Sequence, residues 1–348
     1  MSRAVGVDLH TTQLTVCYYE SAKEYSFAEY GIYDLESFKR SLRPDDYVVF
    51  ESTGNSNYLY RELSGLVRCE VVNTKMFKVI TKSCSKTDKN DSYTLAEFAS
   101  KDILPKSRVK TELQEDLSSV LDTREKLVVA RTAIKNKVSN LLNRKGIKLG
   151  KGKLISKKQY GRLLTLPLNE IAHAELALLI QELQHLDGRI DVVNELVATH
   201  AHKLPGFENI YSIKGLGINS AVALLCTIGN VNDFSEIKKL AAYIGLVPRV
   251  SNSNETIHHG RITKCGDPLS RKYLVNCANI AVKYNPILAD FYSRIKSKKG
   301  FGKAIVATAR KLLAIVYATL VNGWYFIDFC ANKREIRPIN WGVNQGSR

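Results

Sequence analysis

Hydrophobic and polar positions alternate in short bursts along the first hundred residues. Ala4–Leu9 and Gln13–Tyr19 are β-rich runs separated by His10-Thr11-Thr12, a hairpin-like pair. Glu24–Tyr30 reads as a third strand, and Tyr47–Glu51 and Cys69–Val72 are short apolar runs. Helical signals fall at Leu35–Leu42, Tyr58–Leu66 and Asp91–Lys101. Three opening strands followed by alternating helices and strands is the order of an RNase H-like fold, although periodicity alone supports only an α/β domain.

The pattern then changes. Leu113, Leu117, Val120, Leu127, Ile134, Val138 and Leu141 lie on one stripe, interrupted by Arg124 and Arg131. Leu176, Leu179, Leu183, Leu186, Ile190, Val193 and Val197 repeat the heptad spacing without interruption. Such seams predict two long helices packed as a coiled coil, on each other or across a subunit interface. Between them runs a stretch from Arg144 to Arg162, rich in Lys and Gly, which reads equally as a solvated linker or a nucleic-acid contact. After Pro205 a largely helical unit begins, punctuated by Gly215, Gly217, Gly229, Gly245, Pro248, Gly260 and Gly266. Its last clear helix, Ala304–Phe326, is apolar on most faces and reads as core. The expected organisation is residues 1–106, 107–203 and 204–330, with a basic tail at 331–348.

Composition adds a partner. Of 348 residues, 51 are Lys or Arg and 34 are Asp or Glu, for a net charge of +17. That excess points to a polyanion, nucleic acid before membrane, with a solubilising surface as the plain alternative. The opening MSRAVGVDL carries one basic residue and runs into a strand pattern, so no targeting segment is expected. No uninterrupted apolar run approaches the ~20 residues of a membrane span. The seven cysteines are scattered without a CxxC pair. They read as reduced thiols of a cytoplasmic protein, with no zinc site.

Four acids stand where chemistry can use them. Asp8 lies near the end of the first strand and Glu51 at the end of the fourth, while Asp88 and Asp91 sit three apart at a helix start. Clustered carboxylates repel unless cations neutralise them, and hard oxygen donors suit Mg²⁺ or Mn²⁺. Two such ions ~4 Å apart can clamp the oxygens of a phosphodiester displacement. Each acid alone is as well explained as a surface residue or a helix cap. It is the ordered set on this strand pattern that favours metal.

Further along, Ile213-Lys214-Gly215-Leu216-Gly217-Ile218 before Ala221–Ile228 reads as a helix-hairpin-helix element, with Lys214, Gly215 and Gly217 meeting a DNA phosphate. A plain Gly-rich helix junction looks the same. A polar loop, Val250-Ser251-Asn252-Ser253-Asn254, is flanked by Arg249, Arg261, Lys264 and Arg271. A hydroxyl there suits phosphoryl transfer with cations stabilising the phosphate, although a loop serine is more often a turn former. His258 and His259 are left out of the site.

The order Asp8, Glu51, Asp88-x-x-Asp91, heptad helices, IKGLGINSA, GLVPR, serine loop and GRITKCGD resembles the transposases of the one-ten/eleven-eleven insertion-sequence family. These are also called DEDD serine recombinases or bridge-RNA-guided recombinases, and are related to pilin-gene invertases. The likeness covers about residues 1–330, including Gly302-Lys303-Ala304 and Ala309-Arg310-Lys311-Leu312-Leu313. It implies an α/β RNase H/RuvC-like N-terminal domain, a long coiled-coil insertion and a mainly α C-terminal transposase domain.

The resemblance also implies a nucleophilic serine between GLxP and GxIxKxG. Counting back from Gly260-Arg261-Ile262 gives Ser253, with Asn254 in place of the family's Gly and Ser251 as the other candidate. Ser270 falls where the family has an apolar residue, and Ser92 follows Asp91 where it favours Ala. The same likeness implies Mg²⁺ (or Mn²⁺) held by the four acids, and attack by Ser253 in cis or in trans to give a phosphoserine–DNA intermediate. A structured non-coding guide RNA would pair with donor and target double-stranded DNA, and the heptad helices would join protomers into dimers and a tetrameric synapse.

Two other readings stay open from the residues. One is a RuvC-type Mg²⁺ endonuclease using water, the other a nucleic-acid-binding scaffold without catalysis. The complete set of acids weighs against the scaffold. The separate C-terminal core weighs against the simple nuclease.

Overall fold

The computed structural model describes residues 3–73, 76–77, 87–148, 156–253 and 256–326, with only the backbone described at 250–253 and 256–259. The expected basic tail and the middle of the basic stretch after Arg144 lie outside the described residues. The chain divides into two compact units, Met1–Thr111 and Glu112–Arg348.

The first unit is built on a mixed sheet. Its strands are β1 (Ala4–Leu9), β2 (Gln13–Ser21), β3 (Glu24–Gly31), β4 (Tyr47–Glu51), β5 (Arg68–Val72) and the short β6 (Lys106–Ser107). Their spatial order is β3-β2-β1-β4-β5-β6. β1, β2 and β3 form an antiparallel meander, β1, β4 and β5 run parallel, and β6 closes the edge antiparallel. This order is consistent with the RNase H-like expectation.

Strand alternation sends side chains to two different cores. Val5, Val7, Leu9, Val48 and Phe50 face one side with Phe38 and Leu59, from helices α1 (Leu35–Ser41) and α2 (Ser56–Leu63). Ala4, Tyr47 and Val49 face the other, packed with Leu95, Ala96 and Ala99 of helix α3 (Asp88–Ser100). Parity therefore puts Asp8 and Glu51 on the α3 side of the sheet.

The second unit is mostly helical. Helices α4 (Glu112–Arg144) and α6 (Glu170–Ala201) lie along one another, with the short α5 (Tyr160–Leu164) beside them. Leu117, Val138, Leu141, Leu176, Leu183, Leu186, Ile190 and Val197 of the expected stripes are buried. The two interrupting arginines form polar layers within the seam. Arg131 Nη1 donates to Asp187 Oδ1 at 2.9 Å, and Tyr160 Oη donates to Asp187 Oδ2 at 2.7 Å. Arg124 Nε donates to Asn194 Oδ1 at 2.6 Å. Asp187 is only 4% exposed, so both of its oxygens need these donors.

Beyond the pair come α7 (Phe207–Tyr211), α8 (Ile218–Ile228), α9 (Ile237–Ile244), the hairpin β7 (Pro248–Ser253) and β8 (Thr256–Ile262), α10 (Pro268–Tyr284) and α11 (Pro286–Asn322). The expected polar loop around Ser253 is thus a two-stranded ribbon. Its run of Ser, Asn, Thr and His offers no apolar alternation to mark it as strand. Among the described residues α11 alone is long and apolar enough to cross a membrane, by composition. Yet Ala309, Leu312, Leu313 and Val316 are fully buried in this unit's core, as expected of a core helix.

Replacing Asp187 with Ala should strand Arg131 and Tyr160 and destabilise the helix pair by about 3 kcal/mol. A urea midpoint matching the parent's would show that this layer contributes nothing.

Candidate active site

The first unit gathers acids because a helix is allowed to touch a strand. A Cβ on Gly6 would stand 2.0 Å from the Ser92 carbonyl oxygen and 2.5 Å from the Ala96 amide nitrogen. Only hydrogen at that position lets the α3 backbone rest on β1. The first turn of α3, which carries Asp88 and Asp91, is thereby set beside Asp8. Thr87 caps this helix by accepting from the Asn90 amide at 3.2 Å. Val7 pairs with Phe50, so Asp8 and Glu51 come next at the same end of two neighbouring parallel strands.

Among the described residues, one group of potential ligand atoms contains a residue that the spacing of acids along the sequence does not single out. His10 Nε2 lies 3.4 Å from Asp8 Oδ2 and 3.3 Å from Asp88 Oδ2. One ligand atom from each of these three residues falls within 4.8 Å of the others. Donors around one ion at ~2.1 Å stand about 3–4 Å apart, and the two His10 distances fall in that range. The Asn55 amide donates to the His10 carbonyl at 3.2 Å and ties the β1–β2 turn to the segment entering α2. His10 follows the end of β1, and its position beside Asp8 and Asp88 comes from the return of β2 and the placing of α3.

Glu51 and Asp91 lie outside this group. Asp91 is buried in the first turn of α3, and Glu51 is half-buried at the neighbouring strand end. Burial pushes the Asp8 carboxyl above the usual range; nearby His10 lowers it, while the charges of Asp88 and Asp91 raise it. Repulsion of this kind is what a bound cation relieves.

The second unit holds the hairpin by its base. Gly245 and Gly266 both have left-handed backbones, at φ 79° and 80°. A Cβ on Gly245 would stand 2.1 Å from the Cys265 carbonyl oxygen, and one on Gly266 would stand 1.9 Å from that of Tyr243. The turns entering and leaving the ribbon are therefore pressed backbone to backbone. Arg271 Nη1 fastens them, donating to the carbonyls of Ile244, Cys265 and Gly266 at 2.9, 2.9 and 3.2 Å. Asp267 caps α10, accepting from the Leu269 and Ser270 amides at 3.2 and 2.8 Å and from Thr227 Oγ1 at 3.2 Å. Burial pushes its carboxyl up, but these hydrogen bonds outweigh burial and hold it below the usual range.

Ser253 ends β7, its backbone paired with Thr256; its side chain, like that of Ser251, lies outside the described residues. Arg249, Arg261 and Lys264 are exposed around the ribbon base, and Ser270 is fully buried. Lys214 is also exposed, beside Gly215 and ahead of Gly217. A Cβ on Gly215 would stand 2.9 Å from the Ala281 amide nitrogen. That glycine lets the α7–α8 turn pack on α10, whereas Gly217 has open space around it.

Acids delivered by two parallel strand ends and a helix start onto one side of a mixed sheet are an arrangement suited to hard divalent cations. Comparison with known proteins narrows this. Residues 5–146 match the DEDD transposase family of the IS110 type, and residues 207–293 match the transposase IS116/IS110/IS902 family. The chain belongs to this family of DNA transposases and recombinases, which act by phosphoryl transfer on DNA. Among its relatives is the "Transposase for insertion sequence element IS1111A" of Coxiella burnetii, 28% identical over 78% of this chain and 77% of that protein. A "Probable family 20 transposase" of Pseudomonas aeruginosa is 28% identical over 82% and 87%. The "Pilin gene-inverting protein" of Moraxella bovis is 24% identical over 79% and 80%.

Gly6→Ala should destabilise the first unit by about 3 kcal/mol and reduce strand transfer at least ~100-fold by displacing α3. Gly31→Ala, with nothing near its Cβ, should do neither; parity between the two variants would remove the contact from any role in the site. Asp267→Ala should lower stability at pH 7 by about 1 kcal/mol. The carboxyl is depressed in the native state, so its contribution is complete above the ordinary aspartate value of ~3.9 and is lost as pH falls through the native value. Melting curves of parent and variant should therefore converge in acid, and a gap independent of pH would contradict this.

Proposed function

We propose that this chain is the RNA-guided DNA recombinase of an insertion sequence, using the carboxylates to hold metal and Ser253 as nucleophile. The convergence of Asp8, His10 and Asp88 at the Gly6 contact carries the reading. Asp8, Glu51, Asp88 and Asp91 would hold Mg²⁺ or Mn²⁺, with His10 adding one nitrogen donor. A divalent cation there supplies charge neutralisation and polarisation of the scissile phosphate.

Ser253 Oγ attacks phosphorus, the Oγ–P ester bond forms, and the P–O bond to the leaving deoxyribose breaks. The serine proton is passed through solvent and ends on the departing oxygen. One ester replaces another, so a released hydroxyl can reverse the step on a new partner and complete strand exchange without an energy source. Arg249, Arg261, Lys264 and the part of Arg271 not bound to carbonyls would face the transferring phosphate. Lys214 and the Gly217 turn would grip the duplex backbone.

Residues 107–203 would serve as a coiled coil joining protomers into dimers and a tetrameric synapse, with residues 204–330 as the transposase domain. A structured non-coding RNA would select donor and target DNA by pairing, leaving the basic protein to hold backbones. A reducing cytoplasm, in contact with the nucleoid, suits such a reaction.

Ser253→Ala should abolish covalent protein–DNA adducts while RNA binding persists, and Asp8→Ala should abolish strand transfer. Adducts that survive in Ser253→Ala would move the nucleophile to another residue such as Ser251. Cleavage without any adduct in the parent would favour the water-using endonuclease. Sequencing the nucleic acid that co-purifies should recover one discrete structured RNA; its absence would remove the guide.

A further inference from the structure

Several helical cations of the described surface pair with acids. Lys39 meets Glu36 and Glu62, Lys101 meets Glu97, Lys126 meets Asp122, and Lys137 meets Glu175. The middle of α11 is denser in cations and has few acids near it in sequence. Arg294, Lys296, Lys298, Lys299 and Lys303 fall within ten residues, and no acid occurs between Asp290 and Asp328. All five are exposed. Arg294 reaches Asp290 at 3.7 Å, and Lys296 lies over the Tyr292 ring. Lys298, Lys299 and Lys303 have no carboxylate within ion-pair reach among the described residues. Arg294 and Lys298 stand at i,i+4 and Lys296 and Lys299 at i,i+3, spacings at which like charges repel on a helix.

The helix also breaks here. Gly300 has φ 77° and ψ 171°, a conformation essentially reserved for glycine, so the helix stops and restarts at Phe301. A restarting helix carries the positive end of its dipole at its first turn, close in sequence to Lys299 and Lys303. Added Cβ atoms on Gly300 and Gly302 would meet nothing within 4 Å, so another backbone can come close. Phe301 is 56% exposed at the same point, an apolar ring among cations.

We infer that the Arg294–Lys303 break in α11 is a docking surface for the phosphate backbone of double-stranded DNA. Charge complementarity and the family's DNA substrate favour duplex DNA as the occupant. The surface rests on family membership and is independent of Ser253 and the carboxylates.

The test uses the full chain and a mixed-sequence duplex, with affinity measured across a range of salt concentrations. Replacing Lys298, Lys299 and Lys303 with Ala removes three cations. The slope of log affinity against log salt should then fall by about 2–3, with at least a tenfold loss of affinity at low salt. Because repulsion is relieved and alanine favours helix, the melting temperature should equal or exceed the parent's, which separates lost binding from lost folding. A control triple at the paired residues Lys101, Lys126 and Lys137 should change the slope less. An unchanged slope, or equal loss in the control, would overturn the surface. So would a slope that falls only on structured RNA and not on duplex DNA, which would give the patch to RNA. Catalytic failure of Ser253→Ala or Asp8→Ala would leave this slope unaltered.

Discussion

The contact on which the first unit depends is the one between Gly6 and the backbone of α3. β1 carries Asp8 and α3 carries Asp88 and Asp91, so the gap between those two elements sets the gap between the acids. Hydrogen at Gly6 lets the Ser92 carbonyl and the Ala96 amide sit where a methyl group would otherwise stand. Sheet register does the rest, because pairing of Val7 with Phe50 brings Glu51 to the same end of the sheet. The arrangement concentrates negative charge, which is unfavourable in isolation and becomes useful when a cation is bound.

The second unit uses the same device at the ribbon base. Gly245 and Gly266 let two turns touch through their backbones, and Arg271 and Asp267 fix them there with hydrogen bonds. A two-stranded ribbon is marginal alone, so this hairpin depends on such a base. The glycines of the GLVP and KCGD blocks thus serve close packing directly.

Much of the first unit is legible in the sequence because its strands alternate and its acids are spaced by strand ends and a helix turn. The two-residue β6 carries too little pattern to be seen. His10 reads with its two threonines as a turn, and only the return of β2 and the placing of α3 bring it between Asp8 and Asp88. Arg124 and Arg131 look like faults in an apolar stripe. Their partners Asn194 and Asp187 lie 70 and 56 residues away, on a helix whose phase cannot be read from the first. Arg271 illustrates the same limit, since its residue type suits a phosphate while one of its nitrogens is already committed to three carbonyls.

If Asp8 and its neighbours form a divalent-cation site, the most direct measurement is titration of the full-length protein with Mn²⁺. Binding is read from loss of the free-ion electron paramagnetic resonance signal. Saturable binding is predicted in the parent, and Asp8→Asn should abolish it. Binding that never saturates, or that survives Asp8→Asn unchanged, would contradict the site.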